Sequence, residues 1–224
     1  MLRLLLERVF EPCVIVQEVS RVGDEEREKF LKRIEGQPVP PRLTQLVTGR
    51  GIPVYCVANH NDAECARIVG SHQPDVVVLG GTRIIKPHLL EIPPRGTVNC
   101  HPGLLPWLRG SASVGWALYK DLPQGATANF IDAGIDTGDI IFRRTLPVSH
   151  RDTYESLCAR VATLAGELMA EAVAALTAGD APRTPKEQGL GETLKVIPDD
   201  LLAEGKRRLA EKRYSHYADG DDAW

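Results

Sequence analysis

Apolar and polar positions along this 224-residue chain follow two periods. Runs rich in β-branched residues at 13–19, 53–57, 75–79, 96–100, 126–131 and 140–145 read as strands. Val76-Val77-Val78-Leu79 is apolar without a break, as in a strand covered on both faces by helices, and Gly80-Gly81 punctuates its end. Helical patterns lie between most of these runs. The alternation predicts an α/β fold: a Rossmann-like, doubly wound, mostly parallel sheet flanked by helices.

The clearest helix starts at Asp152, whose carboxylate can cap the backbone while Glu155 answers three residues on. Tyr154, Leu157, Val161, Leu164, Leu168, Ala172 and Leu176 then repeat at helical spacing, and Gly179 closes the element. That stripe reads as core packing. The opening residues, Met1 to Phe10, read as a short amphipathic helix rather than a leader, because Glu7 and Arg8 break the apolar run and no small-residue cleavage site follows. No apolar stretch is expected to reach the length that crosses a bilayer, so no membrane partner is implied.

A doubly wound fold usually begins with a strand and a Gly-rich turn, whereas this chain opens on the helix that should follow them. The usual first strand is therefore expected to be lacking from these residues: either the true start lies upstream or the fold manages without it, its place then empty, filled by another segment, or supplied by a second chain, as in a homo-oligomer. Residues 1–180 read as one domain, short at its amino end. Pro182, Pro185, Gly189 and Gly191 mark a linker, followed by a charged helix over 199–213 and an acidic, mobile tail at 218–224, so that 181–224 forms an extension.

A formal net charge of -3 exerts no strong pull on polyanions, and Arg143-Arg144 and Lys206-Arg207-Arg208 are short enough to be solvated faces. Nothing here supports a nucleic-acid partner. The five cysteines, Cys13, Cys56, Cys65, Cys100 and Cys158, are odd in number and lack any Cys-x-x-Cys spacing. A reducing, cytoplasmic setting with buried thiols is the natural reading.

Chemistry concentrates in Asn99-Cys100-His101-Pro102. Asn99 and His101 stand two apart in a strand, so both side chains leave one face, and Pro102 ends the strand there. An amide donor and a titratable imidazole thus share a strand's carboxyl end, where open α/β sheets bind ligands. An isolated histidine would read as a core residue; Asn99 on the same face and Pro102 just after reverse that balance. Cys100 faces the other way, into the core. Asp136, followed by Thr137-Gly138, reads from its neighbours alone as a turn residue. His60, Asp62 and Glu64 could be imagined around a metal, but Asn61 or Asp62 is more simply the cap of a helix running to Val69, and no metal is expected.

The segment 75–179 resembles the folate-dependent formyltransferases: the glycinamide ribonucleotide, methionyl-tRNA and nucleotide-sugar amine enzymes and formyltetrahydrofolate deformylase. The likeness rests on Asn99-x-His101-Pro102, Leu104-Leu105-Pro106 close behind, Arg109-Gly110, and a distal Asp136-x-Gly138. Arg109-Gly110 and the following helix at 111–119 with Trp116 look closer to the tRNA and sugar branches. The resemblance implies Asn99, His101 and Asp136 as catalytic residues and 10-formyltetrahydrofolate as formyl donor. It also implies that the pterin lies between 81–90 and 131–136, held largely by backbone at Gly81, Arg83, Ile84, Ile85, Leu90, Ile131, Asp132 and Ala133, with Asp132 chiefly organising its loop.

In formyl transfer an amine adds to the formyl carbon, the carbonyl oxygen turns negative and the nitrogen sheds a proton. Asn99 and a protonated His101 would hold that oxygen, with Asp136 keeping the imidazole charged near neutral pH. With no counterpart of the family's amino-terminal strand and loop, and too few residues after Gly179 for a β-rich tRNA domain, the expected acceptor is a small amine, a nucleotide-linked amino sugar. The alternatives are a formyltetrahydrofolate hydrolase, a glycinamide ribonucleotide or methionyl-tRNA formyltransferase, or an inactive folate-binding relative.

Overall fold

The computed structural model describes residues 1–185 and 190–218. In chain order the elements are α1 (Leu2–Glu7), β1 (Ile15–Glu18), α2 (Arg21–Arg33), α3 (Leu43–Val47), β2 (Val54–Val57), α4 (Ala63–Ser71), β3 (Val77–Val78), α5 (Pro87–Leu90), β4 (Thr97–His101), β5 (Leu108–Gly110), α6 (Ser113–Lys120), β6 (Gly125–Phe130), β7 (Ile140–Thr145), α7 (Tyr154–Ala178), β8 (Glu192–Leu194) and α8 (Asp199–Ala210). The tail expected at 218–224 lies outside the described residues beyond Ala218.

Among the described residues the strands form three sheets, and the main one is mixed rather than mostly parallel. The main sheet runs β3-β4-β6-β7, with β3 and β4 parallel but both β4–β6 and β6–β7 antiparallel. The local cause lies in the connections: the loop from Ile131 to Asp139 is too short for a crossover helix, so β7 returns antiparallel to β6. β1 pairs in parallel with β2, and β5 in parallel with β8.

Side-chain alternation divides the main sheet into two unlike faces. Val98, Cys100, Ala126, Ala128, Phe130 and Ile141 bury against Leu164, Leu168, Met169, Ala172 and Leu176 of α7. A fully buried leucine in such a layer contributes about 1.5–3 kcal/mol. The opposite face carries Thr97, Asn99 and His101 on β4 with Thr127 and Asn129 on β6. One strand thus fills the core with its even positions and presents polar groups with its odd ones.

α7 is long and apolar enough to span a bilayer by length and composition, contrary to the expectation that no stretch is. Here its apolar side serves the sheet, and Gly166 meets α1, where an added Cβ would fall 2.5 Å from Leu4. Its cap sits one residue later than expected. Thr153 and Ser156 form the capping box, while Asp152 accepts from the Ser149 N–H at 2.8 Å and pairs with Arg160. Gly179 closes the helix in the left-handed conformation at φ 82°.

At the start of α4 neither expected cap bond forms. Asp62 holds the cap position without a side-chain bond, and Asn61 bridges to the next loop, donating to Ile84 O at 2.9 Å and accepting from Lys86 N–H at 2.8 Å. The reach to a distant backbone outcompetes the local cap. After α7, the segment read as a linker contains β8, and α8 then crosses α6 at Gly115 and Gly205. Leu209 and Tyr214 join Val114, Leu118, Leu157 and Val161 in a second apolar cluster.

Candidate active site

Asn99 and His101 project from the polar face of β4, directly opposite Asn129 and Thr127 of β6. His101 is only 3 % exposed. Just beyond it the chain turns at Pro102-Gly103, and Thr127 fixes the turn: its hydroxyl donates to Gly103 O at 2.8 Å and accepts from Leu105 N–H at 3.0 Å. A Cβ on Gly103 would lie 2.9 Å from His101 Nε2, so the backbone passes against the ring where only glycine fits.

The ring's partners determine its proton. Nε2 stands 2.7 Å from Leu108 O, which can only accept, so Nε2 carries hydrogen; Ser113 Oγ lies 3.0 Å from the same nitrogen. Nδ1 is turned to Asp136 Oδ2 at 3.4 Å. Asp136 in turn accepts the Gly110 N–H at 2.8 Å through that same oxygen. This bond spans distant chain segments, so Asp136 is more than a turn residue. It adopts φ 50°, a left-handed conformation that aspartate tolerates. Gly138 just after it lies so close to Phe130 O that a Cβ would approach to 2.1 Å, which anchors the loop against the end of β6.

Burial pushes the His101 imidazole below its ordinary value; the Asp136 carboxylate and Leu108 carbonyl pull it back only in part. The expectation that Asp136 keeps the ring charged near neutral pH is therefore corrected: desolvation wins, and the resting ring is neutral. Cys100 packs on the opposite face, and burial raises its thiol to about 12, which leaves no thiolate to act as nucleophile.

Two loops flank Asn99. The segment from Gly80 to Lys86 leaves β3 beside β4, since Leu79 N–H donates to Val98 O at 2.9 Å. The other begins at the foot of β4, with Ile131 N–H on Thr97 O at 2.8 Å, and reaches His101 at its head through Asp136. It therefore runs the length of the polar face, past Asn99. On the face that bears Asn99, Thr97 Oγ1 and Asn129 Oδ1 are buried with no hydrogen-bond partner among the described residues.

Of the positions tied to the pterin, Gly81, Arg83, Ile84, Asp132 and Ala133 are exposed, whereas Ile85 is buried beside Leu89, with Leu90 and Ile131 packed on the same cluster. Arg83 pairs with the buried Glu18. Asp132 accepts the Gly134 N–H at 3.0 Å and the Thr137 hydroxyl, bonds internal to its own loop. His60 N–H donates to Glu18 Oε2 at 3.1 Å, and among the described residues no group of His, Cys, Asp or Glu could hold a metal ion.

Sequence reasoning missed the Gly110 N–H, Ser113, Thr127 and Asn129. Thr127 and Asn129 repeat the two-residue spacing of Asn99 and His101, but which face they share depends on an antiparallel register that spacing alone does not reveal.

Residues 16–173 match the formyl transferase family pattern. The chain belongs to the formyl transferase family. A curated relative, the methionyl-tRNA formyltransferase of Syntrophus aciditrophicus (strain SB), is 34% identical over 163 residues, covering 72% of this chain and 52% of that protein. The chain thus spans about half the length of the curated relatives it matches. Among solved structures, the family fold is shared with the formyltransferase PseJ from Anoxybacillus kamchatkensis, in complex with UDP-4,6-dideoxy-4-formamido-L-AltNAc and tetrahydrofolate. That match has a TM-score of 0.59 at 24% identity and covers 76% of this chain and 94% of that one. The N-formyltransferase from Helicobacter canadensis, with folinic acid and dTDP-3-aminofucose, superposes with a TM-score of 0.59 at 16% identity, covering 93% of this chain and 84% of that one.

Proposed function

We propose that this formyl transferase moves a formyl group from 10-formyltetrahydrofolate to a primary amine, with Asn99, His101 and Asp136 as its catalytic residues. The observation that carries the reading is the convergence of His101 Nδ1 and Asp136 Oδ2 at 3.4 Å at the head of a strand face that also bears Asn99. When bound, the folate supplies an activated formyl carbon. The residues fit such a donor: on the face that bears Asn99, Asn129 Oδ1 is buried with no hydrogen-bond partner among the described residues, and Ile84 and Ala133 are exposed on the two loops.

Because Nε2–H is committed to Leu108 O, Nδ1 is the nitrogen that accepts the amine's proton and returns it to N10 of the folate as the bond from N10 to the formyl carbon breaks and tetrahydrofolate leaves. The neutral ring is suited to that task as a general base. Asp136, held in place by Gly110 N–H, stabilises the imidazolium as it forms. The Asn99 carboxamide has no hydrogen-bond partner of its own among the described residues, and donates to the oxygen that gains negative charge.

For the acceptor, the sequence relatives favour the α-amine of an aminoacyl ester such as methionyl-tRNA over the amino sugar expected above. The second reading, a nucleotide-linked amino sugar, is supported by solved neighbours whose length this chain nearly covers. Purified protein incubated with donor and each amine, with tetrahydrofolate release followed, separates them. Formylated methionyl-tRNA supports the first reading and formylated sugar the second. Release without any amine makes the protein a hydrolase, and no release with any acceptor refutes the proposal.

A further inference from the structure

We propose that β8, from the segment that follows α7, is a positioning element of the catalytic centre: by pairing with β5 it fixes the two main-chain groups that orient His101 and Asp136. The inference rests on the catalytic roles proposed above.

β5 belongs to no other ladder among the described residues; it pairs with β8 through Leu108–Glu192, Arg109–Thr193 and Gly110–Leu194. In a parallel ladder successive residues direct their main-chain groups to opposite edges. Glu192 N–H reaches Trp107 O at 3.5 Å and Ser111 N–H donates to Leu194 O at 2.9 Å, which assigns one edge of β5 to β8. Leu108 O and Gly110 N–H lie on the other edge, and these are the groups bonded to His101 Nε2 at 2.7 Å and Asp136 Oδ2 at 2.8 Å. β5 is a ribbon with a ladder on one side and the catalytic pair on the other.

A ladder of three residues is marginal by itself. This one is braced: Trp116 Nε1–H donates to Lys195 O at 2.8 Å, Lys120 pairs with Glu192 at 3.0 Å, and Arg109 donates to Gly191 O at 3.2 Å. The fit leaves no slack, since a Cβ on Gly110 would lie 2.2 Å from Leu194 O and one on Gly191 would lie 1.9 Å from Pro106 O. Gly191 also holds φ 74°, so alanine there is strained as well as obstructed. Loosening β8 frees β5 to shift, and an error of about 1 Å at a catalytic group can cost about 100-fold in rate.

The test uses the full chain with Gly191→Ala and the milder Trp116→Phe, and Val161→Ala, in an apolar cluster that includes no residue of β5 or β8, as a destabilised comparison. Two readouts are taken: kcat and KM with formyl donor, and titration of the His101 imidazole by NMR, where Asp136 is the charged group touching the ring and Ser113 and Leu108 O are its neutral partners. Gly191→Ala is expected to lower kcat by about 10- to 100-fold with donor KM within about twofold, and to move the His101 titration to lower pH. Trp116→Phe should do the same to a smaller degree. Val161→Ala should lower the melting temperature and leave the titration in place. An unchanged His101 titration in Gly191→Ala and Trp116→Phe, with losses matching only the fraction unfolded, overturns the proposal. If the unaltered chain transfers no formyl group, the catalytic reading fails, while the NMR titration still decides whether β8 positions this pair.

Discussion

His101 and Leu108 are joined by a 2.7 Å hydrogen bond from the ring's Nε2 to a main-chain carbonyl, which leaves Nδ1 as the one nitrogen free to exchange a proton at the site. Imidazole tautomers are usually settled by such a second partner. In the proposed reaction this divides the polar work of the centre: Nδ1 would move the proton, Asp136 would answer the charge, and Asn99 would face the oxygen.

Removing the Asn99 amide donor or the His101 base should be costly without unfolding the chain. Asn99→Ala and His101→Ala are each expected to lose about 10²- to 10³-fold in kcat, measured beside a thermal melt that stays within a few degrees of the unaltered protein. A residue whose alanine variant keeps its full rate has no place in the mechanism.

The acid limb of activity should report the ring. Burial holds His101 below its ordinary 6.5, so kcat/KM should rise with pH through a midpoint under that value. Asp136 is what partly restores it. Asp136→Asn should therefore carry the limb to lower pH while lowering the plateau; the acceptor amine titrates identically in both proteins, so the difference belongs to the ring. A limb that moves to higher pH contradicts the assignment.

Glu18 offers a stability test away from the chemistry. Burial alone would raise its carboxyl, but bonds from Ser20, Arg83 and the His60 N–H outweigh that and hold it down to about 2. A folded value beneath the unfolded 4.5 means the stabilisation is present above 4.5 and is lost as pH falls from there toward 2. Glu18→Gln should lower stability by about 1–3 kcal/mol at neutral pH, and melts of the two proteins should converge as the solution is acidified through that window.

Cys100→Ala should leave kcat within about twofold and cost about 1 kcal/mol of stability. The thiol adjoins His101 in sequence and packs on the far face of the sheet. A rate collapse without loss of folding would show that sulfur takes part after all.

Much of the scaffold is legible from residue pattern. The strands at 13–19, 96–100 and 140–145 and the long helix closing at Gly179 all appear, because their signals, β-branched runs and a stripe at helical spacing, are local. Pairing direction is not local, and the mixed ladders at β6 and β7 escaped a reading tuned to strand–helix alternation. β5 and β8 span three residues each and have no periodicity to detect; each exists because the other does. The site shows the same split. Asn99 and His101 are legible from spacing, whereas Gly110 N–H and Leu108 O contribute main-chain atoms, which no residue type advertises. The charge state of His101 is not legible in this way, because sequence reveals a neighbouring carboxylate more readily than it reveals dehydration.

The strict two-sidedness of β4 limits how its gene can change. Inserting or deleting one codon between Thr97 and His101 would rotate sulfur and valine onto the polar face and drive carboxamide and imidazole into the oily layer under α7. Length variation among viable descendants of this chain should therefore fall in the connections, and within that strand only changes that preserve parity should survive.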